Sequence, residues 1–76
     1  MISYFNFGSK IMYPYSLTDR EKEIAKYIIK GYSNSEIAKM LFVSKSTVKV
    51  HVSNILQKTK AKNRVNLAYI LGSIEI

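Results

Sequence analysis

The chain has no cysteine and no tryptophan, and only one proline, one histidine and three glycines among its 76 residues. Lacking cysteine, it can form neither disulfides nor thiolate metal sites, which fits a reducing compartment. No segment approaches the roughly 20 consecutive apolar residues of a membrane span, and the opening MISYFNFGSK has neither the basic start nor the long apolar middle of a secretory signal. The expectation is a cytoplasmic protein with no membrane partner. Carboxylates are also scarce, five against 12 Lys and Arg. Asp19, Glu21, Glu23 and Glu36 all fall at helix starts, which leaves no free pair for acid or base chemistry. The serines have no base partner, and His51 borders an apolar helix face where a hydrogen-bonded structural role is expected. No enzyme, metal or cofactor is expected.

The positive charge that remains is unevenly placed. Between Glu36 and Glu75 there is not one acid, whereas Lys39, Lys45, Lys49, Lys58, Lys60, Lys62 and Arg64 all lie there. A net charge of +7 concentrated in one segment points to a polyanion partner. Length adds a second constraint, because a domain of this size buries only about 60% of its unfolded surface and its core is thin. Help from a partner is therefore expected.

Residues 1–16 read as a short aromatic arm, with Tyr4, Phe5, Phe7, Tyr13 and Tyr15 around Gly8 and Pro14. Helix signals fill residues 17–76. Thr18 and Glu21 form a capping box, Lys26 and Lys30 suit the helix end, Gly31 terminates it, and Ile24, Ala25, Ile28 and Ile29 make the inward stripe. Ser33 and Glu36 make a second capping box for a short helix with Ile37, Ala38 and Leu41 inward. Ser44 caps a third helix, leaving Phe42 and Val43 to turn the chain.

In that third segment, STVKVHVSN places Val48, Val50 and Val52 at strand spacing. Beyond Val52 the alternation ends, and on a helical wheel Val52, Ile55, His51 and Leu56 fall within about 80° of Val48. Lys49, Ser53, Gln57, Val50 and Asn54 occupy the opposite arc, so the segment reads as a helix over about 45–58 with one valine on its polar face. Lys49, Ser53 and Asn54 are suited to the base edges of a DNA major groove, where Val50 would meet a thymine methyl. The amides near Lys45, Ser46 and Thr47 favour a phosphate.

The stretch LTDREKEIAKYIIKGYSNSEIAKMLFVSKSTVKVHVSNILQKTKAKNR resembles the LuxR/GerE-type (NarL/FixJ-like) helix-turn-helix family. LTxRE, a glycine-ended first helix, xxEIA, SxxTVKxH and KxxxKNR occur in that family's order and spacing, over residues 17 to about 71. The resemblance implies an all-α, four-helix helix-turn-helix domain of a transcription regulator, of the kind borne by response regulators, on double-stranded DNA. It implies base contacts from Lys49, Val50 and Ser53, joined here by Asn54, and phosphate contacts from Thr47 and Lys58. To the phosphate set we add Asn34 and Ser35 on the bracing second helix, and Lys45, Ser46 and Lys60. An RNA polymerase contact belongs to the same expectation. Some members carry a lysine where Ser53 stands, so base preference does not transfer. Thr59 and Ala61 stand where many have leucine and valine, a less apolar junction.

A fourth helix, capped by Asn63, carries Val65, Leu67, Ala68, Tyr69, Ile70 and Leu71 around nearly its whole circumference. Such a helix should be buried, by a second chain, the aromatic arm or a further domain. A homodimer through Val65, Leu67, Ala68, Tyr69 and Leu71 is the expectation, reading half-sites about one DNA turn apart. The rival reading is a basic helical module that binds an acidic protein or an anionic surface. Operator, controlling signal and the sign of regulation are not legible.

Overall fold

The computed structural model describes the chain from Tyr15 to Glu75. Four helices succeed one another, α1 (Asp19–Ile29), α2 (Asn34–Leu41), α3 (Lys45–Thr59) and α4 (Arg64–Glu75), with no strand among the described residues. The architecture is all-α, and no described helix is long and apolar enough to cross a membrane. Of the aromatic arm, Tyr4, Phe5, Phe7 and Tyr13 lie outside the described residues. Tyr15 is half-buried against the core and Leu17 is part of it.

The helix starts follow from side-chain oxygens that satisfy free backbone amides. Thr18 Oγ1 accepts from the Glu21 amide at 3.1 Å while Glu21 Oε1 accepts from the Thr18 amide at 2.9 Å. Ser33 and Glu36 repeat the exchange at 3.2 and 2.8 Å. Ser44 Oγ accepts from the Thr47 amide at 3.0 Å, and Asn63 Oδ1 from the Asn66 amide at 2.8 Å. Each cap contributes about 1 kcal/mol, which matters to helices as short as the eight residues of α2.

The ends are as definite. Gly31, at φ +87°, closes α1 with the Gly31 amide donating to the Ile28 carbonyl and the Tyr32 amide to the Tyr27 carbonyl, both at 3.0 Å. Phe42 and Lys60 end α2 and α3 in the same left-handed region, each at φ 58°, without being glycine. A side chain there costs about 1–2 kcal/mol, so the folded core must hold both turns in place.

Core packing fixes how the helices face one another. α1 packs on α3 and α4, and α2 packs on α3. Ile24, Ala25 and Ile28 meet Ile37, Ala38, Val48, Val52, Ile55, Leu67 and Leu71 in one cluster. Thr59 also lies buried in this region, and its hydroxyl donates to the Ile55 carbonyl at 2.9 Å. The junction after α3 thus closes with its buried polar side chain satisfied, and Ala61 packs beside it on the core.

Glu21 is the exception in the α1 stripe, a carboxylate on the same face as Ile24, Ala25 and Ile28 and only 2% exposed. Its Oε1 receives the ammonium of Lys58, from the last turn of α3, at 2.7 Å. Burial by itself would raise the Glu21 carboxyl, but hydrogen bonds from Lys58 and Thr18 and the Lys58 charge outweigh it and hold the group below its usual range. A carboxyl held low when folded adds stability above its unfolded pKa, and that stability is lost as pH falls through the folded value. Melting followed from neutral pH down through about pH 4, the ordinary carboxylate range, should therefore show the wild type losing stability steeply. In Glu21→Gln the loss should be shallower, with Glu36, also held low by its Ser33 hydrogen bonds, supplying part of what remains. Equal slopes in both proteins would show that the Glu21–Lys58 pair adds nothing.

Candidate nucleic-acid interface

Only Phe42, Val43 and Ser44 separate α2 from α3, so the two helices are held as one unit by a tight turn. Val48, Val52 and Ile55 face the core, with Val48 and Ile55 fully buried. Helical geometry then turns Lys49, Val50, Ser53 and Asn54 to solvent, and all four are exposed. Val50, the valine that broke the pattern, is 59% exposed. Together with Ser46 these residues line a shallow, open concavity on the outer face of α3.

At the start of α3, Ser44 Oγ shares hydrogen bonds with Thr47 Oγ1 at 2.8 Å and Ser46 Oγ at 3.2 Å. Lys45, Ser46 and Thr47 are exposed around this hydroxyl cluster, where backbone amides and the positive end of the helix dipole meet. Lys60 is exposed at the other end of the helix. Among the described residues the ion pairs are Arg20–Glu23 and Lys58–Glu21, and neither of them takes up the charge of Lys45, Lys49 or Lys60. Ser35 is exposed in the first turn of α2, whereas Asn34 beside it is half-buried. His51 is half-buried on the flank of α3.

Three placements refine the sequence expectations. Lys58 spends part of its donor capacity on Glu21 and keeps a side chain 34% exposed. Asn34 accepts a hydrogen bond from Arg64 Nη1 at 2.6 Å, while Arg64 Nη2 donates to the Tyr32 carbonyl at 2.6 Å. On α4, Leu67 and Leu71 are fully buried in the chain's own core, so they are not surface available to a second chain. Val65, 82% exposed, and Tyr69, 75% exposed, are the large apolar side chains that α4 turns outward among the described residues, with Ala68 half-buried between them.

Each tie leaves one of its two ends legible in the sequence, but not the partner that the end reaches. A carboxylate at helical spacing with a buried stripe requires a cation, which points from Glu21 to a basic residue elsewhere. A cation in the first turn of α4 opposes the helix dipole, which marks Arg64 as reaching for something outside its own helix.

The model of a protein family described as bacterial regulatory proteins, luxR family, matches residues 15–71. The chain is 50% identical over 54 residues, 71% of its length and 25% of the relative's, to the uncharacterized transcriptional regulatory protein YhcZ of Bacillus subtilis. It is 50% identical over 52 residues, 68% of its length and 24% of the relative's, to the nitrate/nitrite response regulator protein NarL of Escherichia coli. To the response regulator protein VraR of Staphylococcus aureus it is 54% identical over 48 residues, 63% of its length and 23% of the relative's. The chain therefore spans about a quarter of the length of these relatives. With four helices in this order and the family match running from Tyr15, four residues ahead of α1, into α4, the chain belongs to the luxR family of bacterial regulatory proteins, and its fold is that family's non-enzymatic helix-turn-helix DNA-binding domain.

Proposed function

We propose that the domain binds double-stranded DNA sequence-specifically as a cytoplasmic transcription regulator, with α3 in the major groove. The observation that carries this is the exposure of Lys49, Val50, Ser53 and Asn54 on one face while Val48, Val52 and Ile55 anchor the other. Lysine reaches the acceptors of guanine, serine and asparagine match either donors or acceptors, and a valine methyl meets the thymine methyl. Asn34, Ser35, Lys45, Ser46, Thr47, Lys58 and Lys60 form the backbone set that fixes register. Two donors of the Lys58 ammonium are left for this after Glu21 takes one. The names of the relatives extend the reading to the output of a response regulator, and an RNA polymerase contact is part of the same proposal.

Two chains would pair through Val65, Ala68 and Tyr69, apolar side chains on a helix whose inner face is already used. Such a pair has twofold symmetry and matches inverted half-sites about one helical turn, roughly 34 Å, apart.

Binding measured on a ranked set of duplexes tests the base contacts. Lys49→Ala should lose about 1–3 kcal/mol of discrimination between preferred and poor sequences. An equal loss on every duplex would remove Lys49 from the base-reading set.

For the backbone contacts, Lys60→Asn separates binding from folding, because asparagine tolerates the left-handed conformation that Lys60 occupies. Melting should be unchanged or raised by roughly 0.5 kcal/mol while affinity falls on all sequences and the salt slope shrinks by about one. A slope that stays where it was excludes a phosphate contact. Sedimentation of the Tyr69→Glu variant tests pairing. Both the dimer fraction and the preference for inverted repeats over single half-sites should fall, and a variant that dimerises like the wild type moves the interface elsewhere.

A further inference from the structure

Arg64 opens α4, at the end where a helix dipole disfavours a cation, and α4 itself gives it no reason to be there. Its head group instead crosses 30 and 32 residues of sequence to Asn34 Oδ1 and the Tyr32 carbonyl. No described carboxylate pairs with it. Both acceptors flank Ser33, the cap of α2, and Asn34 is the first residue of that helix. The two bonds leave from different nitrogens of a planar fork, an arrangement that a lysine, with its charge at one point, does not reproduce.

The chemistry of the pair fixes the orientation of Asn34. Arginine has five donors and no acceptor, so only the oxygen of the Asn34 amide can face it. The Nδ2 group is then turned away from Arg64, and among the described hydrogen bonds Asn34 takes part only as an acceptor, with both Nδ2 hydrogens unspent.

We infer that Arg64 is a positioning residue for DNA-backbone contact: it holds the Asn34 amide with its N–H donors outward for a phosphate oxygen, without touching the DNA itself. The inference rests on the DNA-binding reading above. It also ties α4 to the first turn of α2, so the helix proposed to pair two chains and the helix proposed to brace on the duplex share one hydrogen-bonded link.

The test uses Arg64→Ala, Arg64→Lys, Asn34→Ala and the Arg64→Ala/Asn34→Ala double variant, each confirmed helical, with duplex binding measured across a salt series. Nitrogen-resolved NMR of the Asn34 side chain is recorded without DNA. Arg64→Ala should weaken preferred and arbitrary duplexes alike, by about three- to tenfold, as expected for the loss of one oriented hydrogen bond. Arg64→Lys should leave most of that loss in place, the double variant should bind no worse than the weaker single one, and the Asn34 Nδ2 signals should shift in both Arg64 variants. Additive losses, with a salt slope smaller by about one in Arg64→Ala and restored in Arg64→Lys, would show that Arg64 grips a phosphate directly and overturn the inference. Unmoved Asn34 signals would overturn it as well. Should Arg64→Ala fail to fold, Arg64→Lys, which keeps stem and charge, decides alone, since wild-type affinity in it contradicts the fork. Should the wild type bind no duplex, it is the DNA-binding reading that fails, and the NMR comparison still decides whether Arg64 sets the Asn34 amide.

Discussion

The rotation of α3 about its own axis is the constraint from which the rest of the structure takes its meaning. Val48, Val52 and Ile55 are buried against α1 and α2, and each buried aliphatic side chain of this size contributes about 1.5–3 kcal/mol. Turning the helix by one residue would expose them and bring Lys49 or Ser53 into the core without a partner, a further penalty of several kcal/mol. Several kcal/mol is comparable with the whole stability of a small domain, so a single rotation is populated. The outward face is what remains once the inward one is satisfied.

Two polar ties hold α3 and its neighbour at their ends, where the thin core reaches least. Lys58 joins the last turn of α3 to the first turn of α1 through a buried carboxylate, and Arg64 joins the start of α4 to the start of α2. At Glu21 the desolvation cost of burial is outweighed only by the hydrogen bonds from Lys58 and Thr18 acting together with the Lys58 charge, so the net gain is what remains after that cost. What the two ties supply is geometry. Each connects elements far apart in sequence, and one end of each, Lys58 and Asn34, belongs to the set proposed to meet the DNA backbone.

The helices were legible because their signals are local. Capping boxes at Thr18–Glu21 and Ser33–Glu36, the cap at Ser44 and the glycine at Gly31 each act within a few residues, and the structure forms every one. The face of α3 was legible for a related reason, because a helical wheel converts spacing into direction, and Val50 stood out as apolar on the polar side. What could not be read were contacts that depend on how helices cross. Nothing in the spacing of Glu21 and Lys58, or of Asn34 and Arg64, says that they meet. Similarly, the apolar residues around α4 looked equivalent in sequence, whereas packing on α1 and α3 divides them into buried Leu67 and Leu71 and exposed Val65 and Tyr69.

The most direct measurement of the central claim is selection of bound duplexes from a random pool at a stated salt concentration, followed by sequencing. If the outward face of α3 reads bases, the pool should converge on a defined motif. A pool that binds yet keeps its starting composition would contradict base reading and leave only attraction between a basic surface and a polyanion.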